Sequence, residues 1–128
     1  MDNLFEANTP IYLQLMRLFS VRIACGDWKP GDRLSSVRDL AVDFQVNPNT
    51  VQRALAELER EGLVYAERTS GRFITSDAAR IREARDRLIA SEVEGFLQRM
   101  RELGIEPGVC SGLIAKCTGK GEREHEGT

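Results

Sequence analysis

The chain has 128 residues with 41% hydrophobic side chains, enough for one core domain and a small appendage. Lysine and arginine total 18 against 20 acidic residues, a net charge of −2 with a pI near 5.5, which excludes the global basic footprint usual among nucleic-acid binders. No stretch approaches the ~20 apolar residues of a membrane-spanning helix, and three cysteines are too sparse and odd a set for a disulfide frame. They fit reduced thiols and a cytoplasmic chain.

The opening Met1-Asp2-Asn3-Leu4 has neither the basic region nor the apolar run of a secretory signal. Thr9-Pro10 then opens a helix, with Thr9 as cap and Pro10 in the first turn. Ile11, Leu15 and Leu18 lie beside a second stripe of Tyr12, Met16, Phe19 and Ile23, so this helix is expected to be buried on a broad face. Gly26-Asp27-Trp28-Lys29-Pro30-Gly31-Asp32 reads as a turn-rich connection. Trp28, the sole tryptophan, is read as a packing anchor rather than a stacking platform.

Ser36 caps a short helix whose Val37, Leu40, Ala41 and Phe44 face inward. After the tight Gln45-Val46-Asn47-Pro48 connection, Asn47 caps a second helix with Pro48 at its first position. Val51, Leu55 and Leu58 form its apolar face, Asn49, Gln52, Arg53 and Glu57 the other side, and Gly62 a left-handed stop. Two such helices form a helix-turn-helix, the second shaped for a groove. Leu63-Val64-Tyr65-Ala66-Glu67 and Arg72-Phe73-Ile74-Thr75 are β-prone, and Arg68-Thr69-Ser70-Gly71 between them is a turn, which predicts a hairpin wing.

Arg33-Leu34-Ser35-Ser36-Val37-Arg38-Asp39-Leu40-Ala41, Val46-Asn47-Pro48-Asn49-Thr50-Val51, Leu58-Glu59-Arg60-Glu61-Gly62-Leu63 and Gly71-Arg72-Phe73-Ile74 occur in the order and with the gaps of a GntR-family winged helix-turn-helix, which the first three-fifths or so of the chain resembles. It departs from the family at Ser35, where proline is usual, and at Thr69-Ser70-Gly71, where a Gly-x-Gly wing tip is usual. The resemblance implies a mainly α fold with a small β-hairpin and an interface with double-stranded DNA. It also implies that Arg38 reaches a guanine in the major groove, unless Arg38 pairs with Asp39 or Asp43. Arg53 and Asn49 are the next candidates for bases. Ser36, Asn47 and Thr50 are candidates for phosphates, with capping as the other role of Ser36 and Asn47. Arg72 and Arg68, with Gly71 at the wing tip, are placed at the minor groove. With the charge balance negative, Arg33, Arg38, Arg53, Arg68 and Arg72 would have to gather on one face.

Beyond the wing, Asp77 caps a long charged segment, 78–103, stopped by Gly104 and laced with pairs such as Glu83 with Arg87. Ile89, Val93, Phe96, Met100 and Leu103 recur at coiled-coil spacing, and Leu97 widens the stripe. This seam packs either on its own winged domain or on a second copy; the shortness of the remaining chain favours a homodimer. Glu106-Pro107 starts a last short helix with Val109, Cys110, Leu113, Ile114 and Cys117 apolar, expected to fold back on the long one. The expected organisation is a winged domain at 1–76, a two-helix dimerisation domain at 77–117 and a disordered tail at 118–128.

Enzymatic readings lack parts, since the sole histidine, His125, lies in that tail. Cys110, Cys117 and His125 fall short of a four-ligand zinc set, and the two cysteines read as small core residues, so no metal or cofactor is expected. The roughly fifty residues after the wing hold no pocket of the usual ~300 Å³ or more. In this the chain is similar to the YtrA-type branch, whose small helical tail dimerises and whose members act mainly as repressors. Two functions are therefore expected to compete: a homodimeric DNA-binding repressor, and a winged helix redeployed for protein interaction, which the acidic balance allows. The polar set Asn49, Thr50 and Arg53 favours the first.

Overall fold

Helix boundaries in this chain are set by caps. In the computed structural model, which describes residues 9–126 and side chains through Gly119, Ser36 Oγ accepts the Asp39 N–H at 3.1 Å, and Asn47 Oδ1 accepts the Asn49 N–H at 2.7 Å. These open α2 (Val37–Phe44) and α3 (Pro48–Arg60). The expectations for the opening residues and the last two lie outside the described residues. Gly62, at φ 81°, closes α3, its N–H bonding to Glu59 O and that of Leu63 to Leu58 O. Gln45 does the same for α2 at φ 59°, a left-handed position that costs a non-glycine residue roughly 1 kcal/mol or more.

α1 (Ile11–Ala24) starts one residue later than the sequence implies. Pro10 is its cap residue and makes no side-chain capping bond, so Thr9 does not cap; instead the Thr9 carbonyl accepts from Gln14 Nε2 at 2.7 Å. The buried stripe is Leu15, Phe19 and Ile23, and it meets Val51, Ala54, Leu55 and Leu58 of α3 in one core with Leu34, Leu40, Ala41, Phe44, Leu63, Val64 and Ile74. Ile11, expected in that core, is 46% exposed. It sits in the first turn of α1, ahead of the buried stripe that begins at Leu15. Trp28 packs on Phe19 with ring centroids 5.2 Å apart, and Phe44 meets Phe19 edge-on at 5.1 Å, as a packing anchor should.

β1 (Val64–Glu67) and β2 (Gly71–Ile74) pair antiparallel, Val64 opposite Ile74 and Glu67 opposite Gly71, with Tyr65 and Phe73 stacked at 5.6 Å. The connection read as turn contains a further strand-like step. Arg33 bridges Phe73, the Leu34 N–H bonds to Arg72 O, and the Ile74 N–H to Asp32 O, both at 2.8 Å. This pins the approach to α2 against the wing.

α4 (Ala78–Glu102) opens with the Asp77 carboxylate accepting the Ala79 N–H at 3.0 Å. The chain divides into compact units at Leu88 and Ile89 rather than after residue 76, because Ile81 and Ala84 of α4 pack against the winged core. Glu83 and Arg87 do not close to an ion pair among the described residues, in keeping with the small gain of exposed pairs. In the second unit Gly104, at φ 83°, ends α4 with the Ile105 N–H on Met100 O.

α5 (Pro107–Glu126) is longer than the short helix expected, and its backbone runs through most of the stretch assigned to a disordered tail; Lys120, Glu122, Arg123 and Glu124 are good helix formers. Cys110 is buried, but Val109 is 52% and Ile114 50% exposed. Cys117 is exposed as well, so it is not the core residue the sequence implied.

Phe19→Ala is expected to cost about 3–5 kcal/mol of unfolding free energy, read from urea denaturation. Ile11→Ala is expected to stay within about 0.5 kcal/mol in the same experiment.

Candidate nucleic-acid interface

The packing of α3 on α1 decides what α3 can offer. Val51, Ala54, Leu55 and Leu58 are buried, which leaves Asn49, Gln52, Arg53 and Ala56 exposed on the opposite face. At helical spacing these four form one strip along α3. The caps keep donors available. Ser36 Oγ and Asn47 Oδ1 act as acceptors in capping, so the serine O–H and the asparagine NH₂ remain free to donate.

The five arginines read as a positive face have distinct environments. Arg38, exposed on the first turn of α2, forms no ion pair with Asp39 or Asp43 among the described residues. Arg68 is exposed in the wing turn. Arg33 lies against the wing: a side chain on Gly71 would come within 3.2 Å of its Nε, and Gly71 has φ 110°. The backbone angle favours glycine there. Among the described residues Gln45 is the non-glycine with positive φ, so Thr69 replaces the usual wing glycine without backbone strain.

Arg53 and Arg72 are held. The Arg53 guanidinium carbon sits 3.7 Å from the ring centroid of Tyr12 on α1. Arg72 Nε donates to Glu59 Oε2 at 2.6 Å, an ion pair whose two side chains are both mostly buried. The wing is thereby tied to the last turn of α3. At the same end of α3, Arg80 of α4 donates to the Glu61 carbonyl at 3.4 Å. A cleft of about 540 Å³ also opens between α1, the loop carrying Trp28 and α2, lined by Leu18, Trp28, Leu40 and Phe44 with Arg22, Asp32 and Asp43 at its edges.

The family model for bacterial regulatory proteins of the gntR family matches residues 11–74, α1 through the end of the wing. The chain belongs to the GntR family. It is 43% identical over 105 residues to YhcF, an HTH-type transcriptional regulator of Bacillus subtilis strain 168, covering 82% of this chain and 87% of YhcF. It is 36% identical over 102 residues to the HTH-type transcriptional repressor YtrA of the same organism, covering 79% of this chain and 78% of YtrA. Among solved structures, a GntR family transcriptional regulator from Listeria monocytogenes superposes with a TM-score of 0.79 at 36% identity, over 88% of this chain and 98% of that one. The DNA-binding domain of AraR, solved in complex with operator ORX1, superposes with a TM-score of 0.53 at 25% identity over 59% of this chain and 96% of its own.

For this GntR protein, sequence reasoning placed Ser36, Arg38, Asn47, Asn49, Thr50 and Arg53 on the helix-turn-helix, where the structure has them, with Thr50 half-buried. It put Gln52 on the same outward side of α3 without making it a candidate contact, and the structure exposes it beside Asn49 and Arg53. Tyr12 and Glu59, the partners that hold Arg53 and Arg72, carried no local signal at all. Among the described residues no helix is long and apolar enough to cross a membrane.

Glu59→Gln removes the charge that holds Arg72 and keeps the side-chain shape. The slope of log affinity against log salt on random duplex DNA, measured by fluorescence anisotropy, is expected to steepen by about 0.9, the contribution of one further phosphate contact. An unchanged slope would mean that a released Arg72 does not reach the backbone.

Proposed function

We propose that the chain is a homodimeric transcriptional repressor that reads a near-palindromic operator, with one α3 in the major groove of each half-site. The observation that carries this is the exposed polar strip Asn49, Gln52 and Arg53 on an α3 whose other face is sealed into the core. The operator complex of the AraR DNA-binding domain and the repressor YtrA support the same reading. Arg38 reads a guanine through its guanidinium fork, and Asn49 and Arg53 serve adjacent bases or phosphates. Ser36, Asn47 and Thr50 donate to phosphates at the amino ends of α2 and α3. Arg33 and Gly71 shape the wing beside the minor groove, where Arg68 reaches, with Arg72 joining once it leaves Glu59.

With a net charge of −2, a single winged unit has few contacts and little non-specific attraction, so occupancy rests on pairing. Ile89, Val93 and Leu103 of the seam are 49%, 50% and 72% exposed, and Phe96, Leu97 and Met100 are half-buried. An apolar row left that open is the expected signature of an interface. Two copies related by a two-fold axis suit a near-palindrome whose half-sites lie about one DNA turn apart.

The operator itself is best obtained by selecting duplexes from a random-sequence library with the full chain. Arg38→Ala is expected to cost about 1–3 kcal/mol on the selected duplex and to flatten preference at one base pair per half-site. Equal losses on selected and random duplexes would make Arg38 a phosphate contact. If no duplex binds even at low salt, the protein-interaction reading takes over. Val93→Asp combined with Phe96→Asp places like charges against each other in the paired seam. Light scattering is expected to give a folded monomer whose binding to the full operator is weakened. A double variant that stays dimeric, or binds as a monomer with undiminished affinity, would remove the seam from this account.

A further inference from the structure

We propose that Tyr12, on α1 and outside the helix-turn-helix, is a positioning residue that holds Arg53 in the arrangement in which it meets DNA; this rests on the reading that Arg53 is a DNA contact. The guanidinium carbon of Arg53 lies 3.7 Å from the centroid of the Tyr12 ring, the separation of a face-on stack. Arg53 has no carboxylate within ion-pairing distance among the described residues. Tyr12 itself is half-buried and Arg53 exposed, so the ring forms a floor and the cation lies on its open side.

The geometry suits a DNA contact in a way a carboxylate partner would not. A guanidinium is planar, with its donors around the rim and none on its faces. Stacking occupies one face, leaves the rim free for a phosphate or a guanine edge, and leaves the positive charge in place. Arg72 is the contrast within the same molecule, since its partner Glu59 restrains it and neutralises it together. In a chain of net charge −2, restraint without neutralisation preserves an attraction the overall balance does not supply. The ring is also well fixed relative to α3. Leu15 and Phe19, following Tyr12 along α1, are fully buried in the core that includes Val51 and Leu55 of α3. The stack therefore restricts a long side chain before DNA arrives, which lowers the ordering cost on binding.

The test compares wild type, Tyr12→Phe, Tyr12→Leu, Arg53→Ala and the Tyr12→Leu/Arg53→Ala double variant in the full chain, on the selected operator and on a scrambled duplex. The readout is the ratio of the two affinities, which a general loss of folded protein does not change. Tyr12→Phe keeps the ring face and is expected to keep the ratio. Tyr12→Leu is expected to lower it roughly two- to five-fold, the loss of an exposed cation–π contact. In the Arg53→Ala background Tyr12→Leu is expected to change nothing further. Tyr12→Met, whose unbranched side chain adapts to the site and also lacks a ring face, takes the place of Tyr12→Leu should the latter unfold. If Arg53→Ala lowers the ratio but the two losses multiply in the double variant, Tyr12 does not act through Arg53 and the proposal is overturned. If Arg53→Ala leaves the ratio unchanged, Arg53 is no DNA contact, and both readings fall together.

Discussion

The burial of one face of α3 is the constraint on which the rest of the molecule depends. Val51, Ala54, Leu55 and Leu58 are all at or below 1% exposure, and together they meet Leu15, Phe19 and Ile23 of α1. A helix locked this way has no rotational freedom about its axis, because turning it would expose four apolar side chains at about 1.5–3 kcal/mol for each of the larger ones. Asn49, Gln52 and Arg53 are therefore aimed outward by the core, not by their own chemistry. The caps at Ser36 and Asn47 fix where α2 and α3 begin, and the core fixes which way they face.

Around that helix the charges are arranged sparingly. Arg53 rests on an aromatic ring, Arg72 on a carboxylate and Arg33 beside a glycine, while Arg38 and Arg68 stand clear. A protein with a large basic excess binds the DNA backbone wherever it lands. One with balanced charge depends on the placement of a few guanidinium groups, and placement is what the partners of Arg53 and Arg72 provide. The same economy explains why the wing is braced from two sides, by the backbone step at Arg33 and Phe73 and by the ion pair to α3. A hairpin of two four-residue strands would hold its position poorly alone.

The second unit follows a different logic. Its helices bury little within themselves: Cys110 is covered, while Ile89, Val93, Leu103, Val109 and Ile114 remain open. A lone helix pair cannot repay its conformational entropy on such terms. In the proposed dimer that open surface is the resource, since the apolar area left exposed in one chain is the area two chains share.

The sequence by itself determined what depends on neighbours a few residues apart. Asn47 and Pro48 start α3, Gly62 and Gly104 end helices at positive φ, the spacing of Val51, Leu55 and Leu58 picks the buried face, and 68–71 breaks two β-prone runs. Each works through one hydrogen bond, one backbone angle or one helical repeat, so a linear reading reaches it. The tertiary structure alone decided the rest. It exposed Ile11 in the first turn of α1 and drew Ile81 and Ala84 of α4 into the winged core. It extended α5 into the stretch read as a tail and set a strand-like step at Arg33 beside β2. It also settled which cations are held, tying Arg72 to Glu59 and laying Arg53 on Tyr12 of a different helix. Such pairings depend on how helices cross in space, and no spacing along the chain encodes that.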